Sequence, residues 1–451
     1  MTQSIDKYAT YATDFAAMTQ AACSSELTWL SELRSSAWSR FKEIGMPVAR
    51  RGNEKWKYTN VAPIANSTFR YAADVDATRI IPRENVVDNS PWDENWTNVV
   101  CVDGRYSASL SDRLVENGIY VGGLSDVPDS HAEVLRAHLG QYVSSDEDGF
   151  VALNTAFLHD GVFINVPEGV AFPEMLNLVF ISTGEEGPQV TYPRVLIVME
   201  GNSSITVHES YLSLSEGAAF TNAVSEMFLA EGSQVQHSRL MQENDLTYHV
   251  GVSRVYQSAY SEFTSCSFSK GAKIGRSDLH VLIDGPEAKC TLNGLYLTTG
   301  SQHMDNFINI EHAKPFGTSR LLYKGILDGK SRAVFGGTVL VHKVAQHTDA
   351  QQTDKNLLLS EDAEIDSKPS LFIYADDVKC GHGATAGHID ADTLFYMRSR
   401  GLDLETAGRI LIQAYAGEII DKVGPDRLRD YLDQLYSGAA QTPGIALKGI
   451  S

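Results

Sequence analysis

The sequence predicts a mainly β protein, a β-helix-like stack of short strands between helical N- and C-terminal regions. Three observations carry this reading. From about residue 170 to 388, turn signals such as Glu200-Gly201-Asn202, Glu231-Gly232-Ser233 and Asp328-Gly329-Lys330 recur at gaps of about 12 to 16 residues. Each turn is followed by an alternating run, among them Ser204-Ile205-Thr206-Val207-His208 and Val339-Leu340-Val341-His342, and period two is the mark of a strand. Helical periodicity is confined to the two ends. A β-sandwich or barrel would share the strand signal, but the strand count and the loose repeat favour a stack. Such a stack has an open end and exposed edges that invite a partner to cover them.

Residues 1–45 read as helix, with Leu27, Trp29, Leu30, Leu33, Ala37 and Phe41 at helical spacing and Gly45 and Pro47 ending the run. Residues 51–60, Arg51 to Asn60, mix charge and aromatics without a period and suit a surface loop or a docking element. Between 65 and 150 the pattern is mixed. Val99–Val102 and Ile119–Val121 look like strands, and Ala132–Tyr142 looks like a short helix. The β-rich core is placed at 151–388, after an N-terminal helical and mixed region, 1–150. After it, 389–451 is helical again. Asp392 is expected to cap a helix carrying Leu394, Phe395 and Met397. Asp403 caps a second, striped with Leu404, Ala407, Ile410, Leu411, Ala414, Tyr415 and Ile419. Pro425 opens a third. The stripe Leu404, Ile410, Leu411, Tyr415 either packs internally or presents a groove to another protein.

The totals bound the function. The chain has 451 residues, 43% hydrophobic and 21% charged, the composition of a globular protein large enough for two or three structural units. Its 37 basic and 57 acidic residues give a net charge of −20. That argues against nucleic acid or an anionic membrane as the main partner, because both need a basic surface. The five cysteines, Cys23, Cys101, Cys266, Cys290 and Cys380, are scattered and odd in number, which fits a reducing compartment better than a disulfide framework. Met1–Thr19 lacks the basic start and apolar run of a signal peptide, and no run of 18 apolar residues is present. A cytoplasmic location is the expectation.

Asp376 to Gly387 is the stretch richest in chemistry. It sets Cys380 and His382 two residues apart, hence on one face of an extended chain, among Gly381, Gly383 and Gly387. A thiolate beside an imidazole suits zinc, copper or iron–sulfur chemistry, yet two ligands are half a site; the rest must come from elsewhere in the fold or from a partner. Packing alone would also account for a cysteine here. The other histidines stand singly, with Glu311-His312 and Gln346-His347 the pairs of most interest. His159-Asp160 before Gly161 reads as a turn.

Other motifs fail on spacing. Gly325-Ile326-Leu327-Asp328-Gly329-Lys330-Ser331 is one residue short of a phosphate-binding loop, and a strand-rich stretch follows it. Gly381 to Gly387 is one residue too long for a dinucleotide fingerprint. No Gly-x-Ser-x-Gly or His-Glu-x-x-His occurs. With no catalytic motif, a non-enzymatic scaffold is the leading expectation. The alternative is a secreted-type β-helix enzyme acting on polysaccharide, for which Asp284, Glu287 and Asp305 are the nearest carboxylates. A third reading is a structural homodimer with Cys380 and His382 buried.

Four consecutive runs then carry a resemblance: Gln352 to Ser360, Ala363 to Pro369, Asp377 to Thr385, and Leu394 to Gly401. Together they resemble the C-terminal core of the SufB/SufD family of iron–sulfur cluster assembly proteins. Glu54-Lys55-Trp56-Lys57-Tyr58-Thr59, the Arg398-Ser399-Arg400-Gly401 run and the chain length are closer to the SufD branch. The resemblance implies a right-handed parallel β-helix that pairs with SufB and a C-terminal helical region that docks the SufC ATPase. It implies a transient iron–sulfur cluster shared with the partner, and leaves flavin involvement open. It makes His382 a candidate ligand or point of iron acquisition at the SufB–SufD interface, with Cys380 beside it, and assigns the fuller ligand set to SufB.

Overall fold

The computed structural model describes residues 8–21, 28–50, 52–71, 81–112, 114–146, 148–184 and 187–439. The turn signals do separate strands, and the strands alternate between two sheets. One sheet stacks Val162–Val166, Arg194–Met199, Ala219–Leu229, Tyr248–Gln257, Ile274–Ile283, His303–His312, Arg332–Val341 and Glu364–Ile373 in that order. The other stacks Thr97–Val102, Ala171–Ser182, Ser204–Ser213, Gln234–Gln242, Glu262–Lys270, Lys289–Thr298, Thr318–Leu327, Asp349–Leu358 and Lys379–Gly387. We call these the first and second sheets. Every neighbour pair within these two stacks is parallel. The product is a β-helix of about seven turns.

Register sets the repeat. Ser204 pairs with Gln234, Gln234 with Glu262, Glu262 with Lys289 and Lys289 with Thr318. One turn therefore takes two of the strand intervals seen in the sequence. Alternate residues of every strand point into the lumen, where Val207, Val235, Phe263, Cys290, Leu321, Val281, Ile310 and Phe335 build one continuous apolar core. Because the side-chain period is two, inward residues of successive turns stand directly over one another.

The N-terminal region closes one end. The strand Thr97–Val102 begins the second sheet, and antiparallel strands Ile119–Gly123 and Leu114–Glu116 finish the first. The expected N-terminal helix is two, Ala9–Ala21 and Thr28–Ile44, and Leu27 lies outside the described residues. The expected helix at 132–142 runs from Asp129 to His138. The Gly149–Ala156 run, at the start of the predicted β core, is a helix with every residue buried. A short apolar run buried on all sides has no period to tell helix from strand. Here the Asp148 carboxylate settles it as N-cap, accepting from the Phe150 N–H at 2.9 Å.

Of three C-terminal helices, Ala391–Ser399, Leu404–Ile420 and Asp426–Ala439, the last two lie against the outer face of the second sheet and the first packs on Leu404–Ile420. Ile412, Ala416, Ile419, Leu428, Leu432 and Tyr436 pack there on Leu240, Phe268, Leu295 and Ile326. Asp403 caps the second helix as expected. The first is capped by Asp390, which accepts from the Thr393 N–H at 2.8 Å, and the expected cap Asp392 sits in its first turn.

Candidate functional site

Among the described residues nothing covers the other end of the β-helix: Glu364–Ile373 pairs only with Arg332–Val341, and Lys379–Gly387 only with Asp349–Leu358. Each leaves one row of backbone N–H and C=O groups facing away from the stack, the feature that makes an edge strand adhesive. Phe372, Ile373 and Tyr374 beside this edge are 51%, 39% and 63% exposed, an apolar rim of the kind that marks an interaction surface.

Cys380 and His382 lie on the second of these edge strands, on its inward face. Cys380 stands over Ala350 and packs with Val339 and Val341. His382 stands over Gln352 and is exposed at the mouth of the lumen. Burial pushes the Cys380 thiol up from its ordinary value, so the free side chain is protonated at neutral pH and a metal would have to displace that proton. Among the described residues no three His, Cys, Asp or Glu side chains converge on a metal-sized site.

Directly beneath this turn the lumen becomes polar. On Asp349–Leu358 the inward residues are Ala350, Gln352, Asp354 and Asn356, all buried. Asp354 Oδ2 accepts from the Ser367 hydroxyl at 2.7 Å and the Asn356 amide at 2.8 Å. Gln352 Nε2 donates to the Gly337 carbonyl at 3.2 Å; a Cβ on Gly337 would lie 2.3 Å from that nitrogen and would displace the amide. Asp354 Oδ1 and Gln352 Oε1 are buried and accept nothing. Burial raises the Asp354 carboxyl to about 6, against the hydrogen bonds from Ser367 and Asn356, which lower it. Sequence reading missed this cluster. Its signal was present: Gln352, Asp354 and Asn356 are polar at three successive inward positions, where a β-helix strand should be apolar.

Deeper in the lumen, buried carboxylates have basic partners. Glu209 accepts from the Tyr211 hydroxyl at 2.9 Å and faces His237 at 3.4 Å. Glu243 meets His249 at 2.7 Å, and His249 meets Arg239 at 2.8 Å.

The Glu54–Thr59 segment is a docking element within the chain. It lies on the outer face of the first sheet, where Lys55 bridges Asp148 at 2.7 Å and Asp278 at 2.8 Å. Trp56 lies under the Arg276 guanidinium at 4.0 Å, and Glu54 pairs with Lys368. Burial opposes charge on Asp278, but Arg254, Lys55 and Arg276 together hold its carboxyl well below the usual range. Asp305, a candidate for glycoside chemistry, is buried in the same cluster, bound to Arg276 and Thr59. Asp284 lies past the other end of the strand that pairs with it, accepting from Tyr256 at 2.7 Å. From Arg276, the register partner of Asp305, to Asp284 is roughly 26 Å of extended chain, far beyond an acid–base pair. Glu287 is exposed at a turn. The three do not form one site.

Glu311 accepts from His342 at 2.6 Å and faces His280 at 3.2 Å. His312 bonds Ser319 at 2.9 Å, and His347 meets Asp377 at 3.0 Å. In the Gly325–Ser331 motif, Gly325–Leu327 end one strand and Asp328–Ser331 form the turn to the next.

On Leu404–Ile420 the four stripe residues divide. Tyr415 packs inward: its hydroxyl donates to the Lys355 carbonyl at 2.8 Å, and the Lys324 ammonium lies 3.6 Å from its ring centre. Leu411 lines a cleft of about 380 Å³ between this helix and Thr385–Asp390. Leu404 is half-buried and Ile410 is 41% exposed. Phe395 and Tyr396 on the preceding helix are also exposed apolar side chains, at 71% and 58%.

Comparison with known proteins places these features. The family model for the SUF system FeS cluster assembly SufBD core domain matches residues 180–415, and that for the SufBD protein N-terminal region matches 5–178. The chain is 32% identical over 413 residues to an iron–sulfur cluster assembly SufBD family protein of Synechocystis, covering 90% of each chain. It is 32% identical over 388 residues to the iron–sulfur cluster assembly protein SufD of Escherichia coli, covering 85% of this chain and 87% of that one. To SufD of Bacillus subtilis it is 25% identical over 408 residues, covering 88% and 91%. No helix among the described residues is long and apolar enough to cross a membrane.

Proposed function

This chain belongs to the SufB/SufD family of iron–sulfur cluster assembly proteins, and from that premise we propose that it is a scaffold subunit whose open end is completed by SufB. The observation that carries the reading is the uncovered last turn. Two edge strands of ten and nine residues end the stack without the antiparallel strands that finish the first sheet at the opposite end. They offer main-chain hydrogen bonds and an apolar rim to a partner of matching architecture. Cys380 and His382 sit on that edge, so a cluster built there takes its remaining ligands from the partner. The cluster is cargo, held transiently and shared across the interface.

The second contact is the SufC ATPase on the C-terminal helices. Phe395, Tyr396 and Ile410 supply an exposed apolar face, while Leu411 and Tyr415 tie the helix to the β-helix behind it. Leu404, at the start of the same helix, borders that face. The chain itself contributes position and ligands, not a catalytic centre.

Co-expression of a tagged copy with SufB and SufC of the same organism tests the reading. A stoichiometric ternary complex is the expected result. In that complex His382→Ala should cut cluster formation with folding unchanged. A well-folded chain that recovers neither protein refutes the proposal, and recovery as a homodimer alone assigns the open edge to a second copy of this chain.

A further inference from the structure

We propose that Asp354 and Gln352 form an inner oxygen shelf that receives a divalent cation of the ferrous class through the mouth marked by His382. The inference rests on the assembly reading for the identity of the cation, and on the lumen for the site.

The two buried oxygens are the starting point. Asp354 Oδ1 and Gln352 Oε1 are acceptors on inward residues two apart on one strand, and neither receives a hydrogen bond. A buried acceptor without a donor costs about 1–3 kcal/mol, and more when it is charged. Native structures retain such groups where something else satisfies them. The donors present are spent on Oδ2, which holds both Ser367 and Asn356.

Charge points to a cation rather than a neutral donor. The buried carboxylates deeper in the lumen each face a basic group, His237 for Glu209 and His249 for Glu243. Asp354 has no such partner among the described residues: the neighbouring Lys355 lies on the opposite side of its strand, with its ammonium 3.9 Å from Glu418 outside the lumen.

Access is built into the last turn. The residue standing over Asp354 is Ala384, with Gly383 beside it, and Ala384 is exposed. No large side chain of that strand closes the route from the mouth. His382 stands one position away, over Gln352. A carboxylate oxygen and an amide oxygen are hard donors, suited to Fe²⁺ or Mn²⁺ rather than to a thiolate-seeking ion. Two donors leave coordination positions open, consistent with a cation that is passed on.

The test is anaerobic titration of Fe²⁺ into the full chain, alone and co-purified with SufB, followed by calorimetry. Wild type is expected to take up one Fe²⁺ per chain saturably, and Asp354→Asn to weaken that uptake at least tenfold while unfolding no earlier than wild type. Ala384→Leu should slow uptake by narrowing the route. Equal Fe²⁺ affinity in Asp354→Asn overturns the proposal, as does the absence of saturable uptake by wild type in both forms. Partner recovery is scored separately. A chain that binds Fe²⁺ through Asp354 but recovers no SufB sinks the assembly reading and leaves the shelf standing. A chain that recovers SufB and binds Fe²⁺ without regard to Asp354 sinks the shelf alone.

Discussion

Replacing Asp354 by Asn should stabilise the metal-free protein, against the usual direction for a buried polar substitution. The reasoning is linkage. The Asp354 carboxyl is raised from 3.8 to about 6 because burial penalises its charged form. A raised acid favours the protonated state in the folded chain, so ionisation costs stability. The cost is absent below pH 3.8, grows between 3.8 and 6, and is constant above. A shift of that size is worth about 3 kcal/mol at pH 7. Asn is nearly isosteric, and its carbonyl can keep the Ser367 and Asn356 bonds to the former Oδ2 position. The assay is thermal or urea unfolding of both proteins in a chelator, at half-unit steps from pH 4.5 to 8. The Asn variant should gain on wild type through pH 5 to 6 and hold its lead above. A difference that stays flat with pH, or an Asn variant less stable at pH 7, refutes the reasoning. Adding Fe²⁺ should shrink the lead, because a cation supplies what the mutation makes unnecessary.

Three further outcomes follow from named contacts. Asp278→Asn strips the counter-charge from Lys55, Arg254 and Arg276 and should cost about 3–5 kcal/mol by denaturant unfolding; because this carboxyl is held low when folded, its contribution is full at neutral pH and is lost only as pH falls below about 4. Phe395→Asp with Ile410→Asp, both on exposed positions, should abolish SufC recovery in co-purification while moving the unfolding midpoint by less than about 0.5 kcal/mol. Tyr415→Phe removes one hydrogen bond to the Lys355 carbonyl but keeps the ring beneath Lys324, and should cost about 1 kcal/mol in denaturant unfolding with SufC recovery intact.

What the sequence revealed, and what it hid, divides along the geometry of a β-helix. Turn residues and alternation are local signals, so the strand-rich region was legible without any knowledge of which strand pairs with which, whereas the sheets' first strands, Thr97–Val102 and Ile119–Gly123, lie in the mixed region before it. Stacking is not local. That His382 stands over Gln352, and Ala384 over Asp354, follows from a register between strands about 30 residues apart, and no motif spans that distance. The Cys380–His382 pair was visible because its two members are two residues apart; the shelf beneath was not, because it is shared between turns. The same limit explains the C-terminal stripe. Leu404, Ile410, Leu411 and Tyr415 recur at helical spacing, but only contact with the second sheet decides that Tyr415 faces Lys324 and Ile410 faces out. Even so, the inward pattern Gln352, Asp354, Asn356 broke the alternation rule on the page. In a stack whose lumen must exclude water, polar residues at three successive inward positions cost burial energy that apolar residues would not. The middle of the lumen is polar too, but there Glu209 faces His237 and Glu243 faces His249, whereas beneath the uncovered turn Asp354 has no such partner among the described residues, which argues that its polarity serves the open end.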